Sequence, residues 1–525
     1  MSRKHEVVIV GGGHNGLTVA CYLARAGVDV CVLESLPYVG GGVISSRSVV
    51  PGFKADICSI WHGFIQANPL LLEDELGLKS KFGLRYLTSE NQFGVLFPDD
   101  SHLNIYRDVE RTCQSIAKFS QKDADAYRRF AAWGEQMLDM LTQGMFNPPP
   151  PFGAFVAALD QSPPGRALLR SLMMSALDLC DEWFESDAVK VALTKFSAQS
   201  GIAPGTLGSG IVLFLFIPLT HKYGGAIPMG GSGALSEAME RCLAHHGGTV
   251  LTERTVEQVL TSGGRASGVR LRGGEEILAT KAVVSNLHAR QLAELVDPSL
   301  LPTDFVGQLR QLKRSEYGAV SQGYALREAP RYKAGDEVSD ALFVEFAPLP
   351  LETFLRGFDE MRYGRVRMDM PTVGCQTRLD PSRAPEGKHT LHLFHYAPFE
   401  LAGGGAARWD EVRQEVANGI LATLQQRTTN MGADNIIGRL VETPLDLSRR
   451  NPAMIAGDYN HIGMYLSQQL GNRYLPGWGY RTPVEGLWMC GPSCHPGGGV
   501  TGGGRAAVQP LMESLGVDFA RAIRG

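Results

Sequence analysis

Three glycines, Gly11-x-Gly13-x-x-Gly16, and the acid Glu34 have types and spacing that can do chemistry. Residues 6–10 (EVVIV) precede them as a short β-branched run, the composition of a buried parallel strand. Residues 15–26 read as a helix stopped by Gly27 and residues 28–33 as a second strand. Glu34 closes that strand 18 positions after Gly16. Each part has a task. Gly11 permits a tight turn, Gly13 lets backbone approach a pyrophosphate, and Gly16 lets helix lie against strand. The helix N-terminus at Asn15 offers unpaired N–H groups and a partial positive charge to phosphates. Glu34 accepts hydrogen bonds from ribose hydroxyls. The unit as a whole predicts a dinucleotide site.

Gly40-Gly41-Gly42 follows within a few residues. A second glycine pair at this place resembles the extended fingerprint of FAD-binding proteins, not that of nicotinamide dehydrogenases. Such proteins often continue with an arginine. Val43 stands there instead, which leaves one pyrophosphate contact open, and Arg47 is either its substitute or a solvated surface charge. A second glycine-rich segment lies near the other end. Residues 486–491 read as a turn, a short strand and a break, and residues 492–502 as a loop. A helix begins near 502–505 and runs toward 515. A helix N-terminus aimed at a flavin stabilises the anionic reduced ring. Glycine is in excess, at 62 of 525 residues, or about 12% against a typical ~7%. Eight lie in window 11–42 and seven in window 491–504, so the two ends are expected to meet around one ligand.

The segments 11–17 (GGGHNGL) and 494–500 (CHPGGGV) resemble the phytoene desaturase and carotenoid isomerase superfamily, and within it the branch of pyridine nucleotide-disulfide oxidoreductase domain-containing protein 2. Residues 224–235 (GGAIPMGGSGAL) are similar to the family's glycine–proline–glycine segment before a helix. The resemblance spans nearly the whole chain. It implies an α/β fold of amine oxidase/phytoene desaturase-like architecture: a discontinuous Rossmann-like FAD-binding domain and an α+β substrate domain. The expected FAD-binding parts are 1–80, 225–300 and 471–525; the substrate parts are 81–224, mainly helical, and 301–470. It implies FAD contacts at Gly11, Gly13, Asn15, Gly16, Glu34, Gly41, Gly42, Val256, Gly491, Gly498, Gly499 and Val500. It also places His495 beside the flavin, to position substrate, exchange a proton, contact the cofactor or simply tether the loop. His495 is the catalytic candidate. Trp61 and His62 are expected to shape the pocket.

Other motifs limit the chemistry. A flavin disulfide reductase needs a redox cysteine pair after the first helix, and only Cys58 stands nearby. Cys490 and Cys494 are four apart in a loop unlike that motif. Gly230-Gly231-Ser232-Gly233 follows Pro228-Met229, not a strand, so no second dinucleotide unit is expected. His389, His392 and His395 fall on a strand pattern that sends His392 to the opposite face, so no metal site is expected. Nine cysteines at irregular spacing argue against a disulfide framework. Lys plus Arg is 50 and Asp plus Glu 54, a net charge of -4, which argues against nucleic acid. The start of the chain shows no signal-peptide pattern, and no 18-residue apolar run occurs. A reduced, cytoplasmic chain is expected.

The remaining elements serve the substrate. Residues 123–145 carry apolar residues at helical spacing, residues 148–151 are a stiff proline connector, and residues 166–184 read as a second helical stretch. Met173 and Met174 either line a tunnel or belong to the core. Residues 211–219 (IVLFLFIPL) read as a buried strand, with a peripheral membrane contact or a channel wall as the sharper alternatives. Residues 249–286 read as a strand meander turning at Gly263-Gly264 and Gly273-Gly274. The function expected is FAD-dependent desaturation or isomerisation of a mainly apolar small molecule by hydride transfer, with reoxidation by oxygen or a quinone. The alternative is an oxidase of a carbon–nitrogen or carbon–oxygen bond. A non-catalytic carrier, the role of Rab GDP-dissociation inhibitors on this architecture, fits poorly with two intact glycine segments.

Overall fold

A computed structural model describes residues 3–46, 49–471 and 473–524. Strand Arg3–Val10 is buried along its last four residues, as a run apolar on both faces requires in a parallel sheet. It pairs in parallel with Val30–Leu33 (Val8 opposite Cys31) and with Glu276–Ser285 (Val8 opposite Val283). Leu487–Met489 joins the free side of Glu276–Ser285, and Thr249–Leu251 that of Val30–Leu33, both in parallel. Val256–Ser262 and Arg265–Leu271 extend the sheet as an antiparallel meander. Gly263 and Gly264 turn it with φ of 59° and 80°, where other residues are strained. One seven-stranded sheet is thus gathered from residues 3–33, 249–285 and 487–489.

A second seven-stranded sheet draws on residues 91–106 and 318–442, with Gly318–Leu326, His389–Ala397 and Phe343–Phe346 among its inner strands. Helices from the 109–222 stretch cover it, and Phe93, Tyr127, Phe130, Phe214 and Phe343 share that core. The mixed α/β class expected of the sequence is the one observed. Helix Gln121–Phe146 contains the predicted 123–145 segment, opened by the Ser120 side chain accepting from the Asp123 amide.

Three expectations need correction. Residues 211–219 are not a strand but most of helix Gly210–Lys222. A run of nine apolar residues has no period to separate the two. Here the helix is sandwiched between others, and its Pro218 fits against Gly134 of helix Gln121–Phe146. Residues 166–184 are two helices, Pro163–Met173 and Ala176–Trp183, because Ser175 and Asp178 form a capping box that starts the second. Of the methionine pair, Met173 is exposed and Met174 packs, partly buried, against the aromatic core; neither lines the cavity. Arg47 lies outside the described residues.

Candidate active site

The N-terminal glycine loop is held by its own backbone. Gly11 has φ of 98°, and its amide donates to the Leu33 carbonyl at 2.8 Å. Helix His14–Arg25 follows directly. Its first internal bond is from Leu17 to the Gly13 carbonyl, so the amides of His14, Asn15 and Gly16 face outward without helical partners. A Cβ on Gly16 would lie 2.5 Å from the Gly11 carbonyl oxygen, and one on Gly13 would lie 2.8 Å from Asn286 Nδ2. Glu34 ends the second strand; its Oε2 accepts from the Gly12 amide and its Oε1 from the Leu36 amide, both at 2.8 Å. Gly40 donates to the Gly12 carbonyl and brings Gly41, at φ of 64°, over Gly13.

The second glycine window meets the first. The Gly504 amide, at the start of helix Gly504–Ser514, donates to Asn15 Oδ1 at 3.2 Å across 489 positions. Asn15 therefore offers a ligand its backbone and not its amide oxygen. Gly491 sits against the Asn286 side chain and Gly498 against Asn460, each where a Cβ would collide. Gly499, at φ of 83°, faces open space.

Between the windows runs a cavity of about 790 Å³. Gly11, Gly13, Asn15, Glu34, Gly41, Gly42 and Val256 line one part, and His495, Gly498, Gly499 and Val500 the part beside it. Gly16 and Gly491 do not reach it. They work behind the wall, letting Gly11 and Asn286 come close. His14 also lines the cavity, buried, with Nε2 lacking any protein partner. Burial pulls its pKa down to about 4, against a weaker opposing bond to the Gly499 backbone. The wall thus presents unpaired helix amides, a glycine cradle, an acid at the strand end and an orphaned imidazole. These fit an FAD.

The far part of the cavity is aromatic: Trp61, Phe93, Phe196, Phe216, Phe343 and Phe394 line it. Trp61 stacks on Phe216 at 4.8 Å and 19°. His62 turns away from the cavity. It is buried, shares a 2.9 Å hydrogen bond with Tyr86 Oη, and is pulled down to about 3 by burial. His495 does reach the cavity, but its Nε2 donates to the Gly144 carbonyl at 2.8 Å, tying the glycine loop to helix Gln121–Phe146. A carbonyl only accepts, so Nε2 carries the proton. Burial pulls His495 down to about 4, so it is neutral at pH 7.

Sequence reasoning missed the polar groups at the aromatic end. Gln199, Ser200, Ser321 and Thr372 line it. Glu345 is also part of this wall and forms an ion pair at 3.2 Å with Lys195 behind it, both wholly buried. Glu345 also accepts from Gln199 Nε2 at 2.8 Å and Thr372 Oγ1 at 2.6 Å, and Lys195 donates to the Met370 carbonyl at 2.9 Å. Desolvation lowers the lysine pKa against the pull of Glu345. Residues 150 positions apart with no motif around either leave no signal to find.

Cys58 lines the cavity without a partner thiol, and burial pushes it up to about 11. Cys490 and Cys494 are buried free thiols that do not reach the cavity. His389, His392 and His395 go to separate partners: Thr377 Oγ1, the Asp56 carbonyl, and the Met370 amide.

A family model described as flavin containing amine oxidoreductase matches residues 16–431. The chain is 30% identical to pyridine nucleotide-disulfide oxidoreductase domain-containing protein 2 of Rattus norvegicus, over 98% of this chain and 94% of that protein. It is 25% identical to a subunit of the limonene dehydrogenase of Castellaniella defragrans, over 98% of this chain and 96% of that one. Among solved structures, an oxidoreductase from Methanosarcina mazei shares the fold, with a TM-score of 0.62 at 18% identity, covering 97% of this chain and 100% of that one.

Proposed function

This chain belongs to the family of flavin containing amine oxidoreductases and is an FAD-dependent oxidoreductase, and we propose that it dehydrogenates or isomerises a mainly apolar organic substrate. The aromatic end of the cavity, continuous with the glycine cradle, carries this reading. The similarity to part of a limonene dehydrogenase supports it, since limonene is a hydrocarbon. A second reading, oxidation of a carbon–nitrogen or carbon–oxygen bond, is favoured by the polar groups of Gln199, Ser200, Ser321 and Thr372 at the same end.

FAD, when bound, supplies a two-electron acceptor for hydride. The chain's own residues do the rest. The free amides of His14 and Asn15, over the cradle made by Gly11, Gly13, Gly41 and Gly42, would hold the diphosphate; Glu34 and Val256 would hold the adenosine. Gly498, Gly499 and Val500 frame the flavin end, and Gly16 and Gly491 permit the close approaches behind them. Trp61, Phe216 and Phe394 exclude water and fix the reacting carbon. His495 is the catalytic candidate of the loop, neutral and positioning rather than acidic. Oxygen or a quinone takes the electrons away. The two sheets are proposed to be the cores of an FAD-binding domain (1–80, 225–300, 471–525) and a substrate domain (81–224, 301–470).

Delivery of an apolar substrate fits a peripheral membrane contact. Helix Phe152–Asp160 is almost wholly apolar yet largely exposed, and its Phe155 lines the cavity beside exposed Met140. No helix among the described residues is long and apolar enough to cross a membrane. The proposed setting is the cytoplasm with such a contact.

The test is anaerobic bleaching of the bound flavin by a panel of terpenes, polyenes, amines and cyclic ketones. Bleaching by unsaturated hydrocarbons is expected. Bleaching by amines alone would overturn the reading in favour of the second.

A further inference from the structure

Val43 takes the place of the arginine that follows the second glycine pair in many FAD-binding proteins, and it is buried. The FAD diphosphate carries two negative charges, while the N-terminus of helix His14–Arg25 supplies about half a positive one. Among the described residues four arginines line the cavity: Arg254, Arg272, Arg449 and Arg450. Arg272 is drawn outward to Glu257 at 3.0 Å, and Arg449 to both carboxylate oxygens of Asp410 at 2.7 Å. Arg254 stands two residues from Val256, at the adenosine end, bonded to the Glu253 carbonyl at 3.2 Å.

Arg450 differs. Glu442 holds it along one edge, Nε to Oε1 at 2.6 Å and Nη2 to Oε2 at 2.9 Å. That grip fixes the plane of the guanidinium and leaves Nη1, which is buried and has no protein partner. The side chain shares the wall with Gly41, Gly42 and Cys58, and its charge is felt at the Cys58 thiol. Met454, four residues on, lies directly against Gly42. Met454 therefore covers Gly42, and Arg450 and Gly42 both neighbour Cys58.

We propose that Arg450 is the diphosphate-binding cation of the FAD site, supplying from a distant segment the charge that Val43 does not. The proposal rests on assigning the glycine loops to FAD. Removing Arg450 alone would strand Glu442, so the variant is the neutral pair Arg450→Gln with Glu442→Gln. The full-length apoprotein is titrated with FAD and, separately, with riboflavin, which has no phosphate. Hydrogen bonds to a charged group predict a rise in the FAD dissociation constant of about 10- to 100-fold, with riboflavin affinity unchanged. Unchanged FAD affinity, or an equal loss for both ligands, would overturn the proposal. Should the pair not fold, Arg450→Lys keeps the charge without the fork. A several-fold loss confined to FAD is then expected, and no loss refutes the claim. Gly13→Val separates the premise: normal FAD binding by that variant refutes the glycine-loop assignment itself.

Discussion

Gly225→Ala is a sharp test of how the aromatic end is built. Gly225 does not have a positive φ, so an alanine there meets no backbone strain and the cost is steric. A Cβ at this position would lie 1.7 Å from Trp61 Nε1, about 1.8 Å short of an ordinary contact of ~3.5 Å. The indole cannot slide away in its plane, because its far edge is closed by Gly63, where a Cβ would lie 1.9 Å from Trp61 Cη2. It must tilt off Phe216. Overpacking costs about 1–3 kcal/mol, and the lost stacking adds about 0.5–1.5 kcal/mol. The sum of about 2–4 kcal/mol corresponds to a Tm drop of roughly 2–4 °C, at about 1 °C per kcal/mol for a chain of 525 residues. Differential scanning calorimetry measures it, and tryptophan fluorescence should report the moved indole. In a Trp61→Leu background the same alanine should cost under about 1 kcal/mol, a coupling of about 2 kcal/mol. Full cost in both backgrounds, or an unmoved emission, would refute the clamp.

Three more predictions address other parts of the site. Lys195→Met alone should destabilise by about 3–5 kcal/mol by stranding buried Glu345, and adding Glu345→Gln should recover more than half in a denaturant titration; no recovery would break the pairing argument. Burial holds His14, His392 and His395 at about 4 and His62 at about 3, below the ~6.5 of an unfolded chain. The unfolded chain takes up protons that the folded one refuses, so their contribution is whole above pH 6.5 and is lost as pH falls toward 4. Thermal melts across that window should show it, with a shallower slope for His392→Gln; an identical slope would remove His392 from the account. Gly504→Ala drives a Cβ into the Asn15 carbonyl and Thr18, so it should speed FAD release during gel filtration at least tenfold; wild-type retention would mean that the two helices need not touch.

What was legible in the sequence had two signals that agreed. The loop from Gly11 to Glu34 carries spacing and a strand–helix–strand context, and all of its elements are present. The same holds for the meander at 249–286, where glycine pairs coincide with hydrophobic alternation. Helix Gly210–Lys222 was illegible because uniform apolarity has no period. The break at Ser175 left a signal, Ser-x-x-Asp, which the stronger apolar pattern around it outweighed. Gly16 and Gly491 were marked by the sequence as ligand contacts, yet they serve the packing of Gly11 and Asn286. Composition cannot tell a glycine that admits a ligand from one that admits a neighbour. The Lys195–Glu345 pair, and the placing of Arg450 in one cavity wall with Gly41 and Gly42, depend on long-range apposition, which no local pattern encodes.

The bond from Gly504 to Asn15 has a consequence in time. A ribosome delivers the two ends of this site in order, 489 residues apart, and at 5–20 residues per second that interval is roughly 25–100 s. The first strand, loop and helix wait throughout for the backbone that closes over them. A cofactor site that needs both ends is therefore completed only as the last residues of the chain are made.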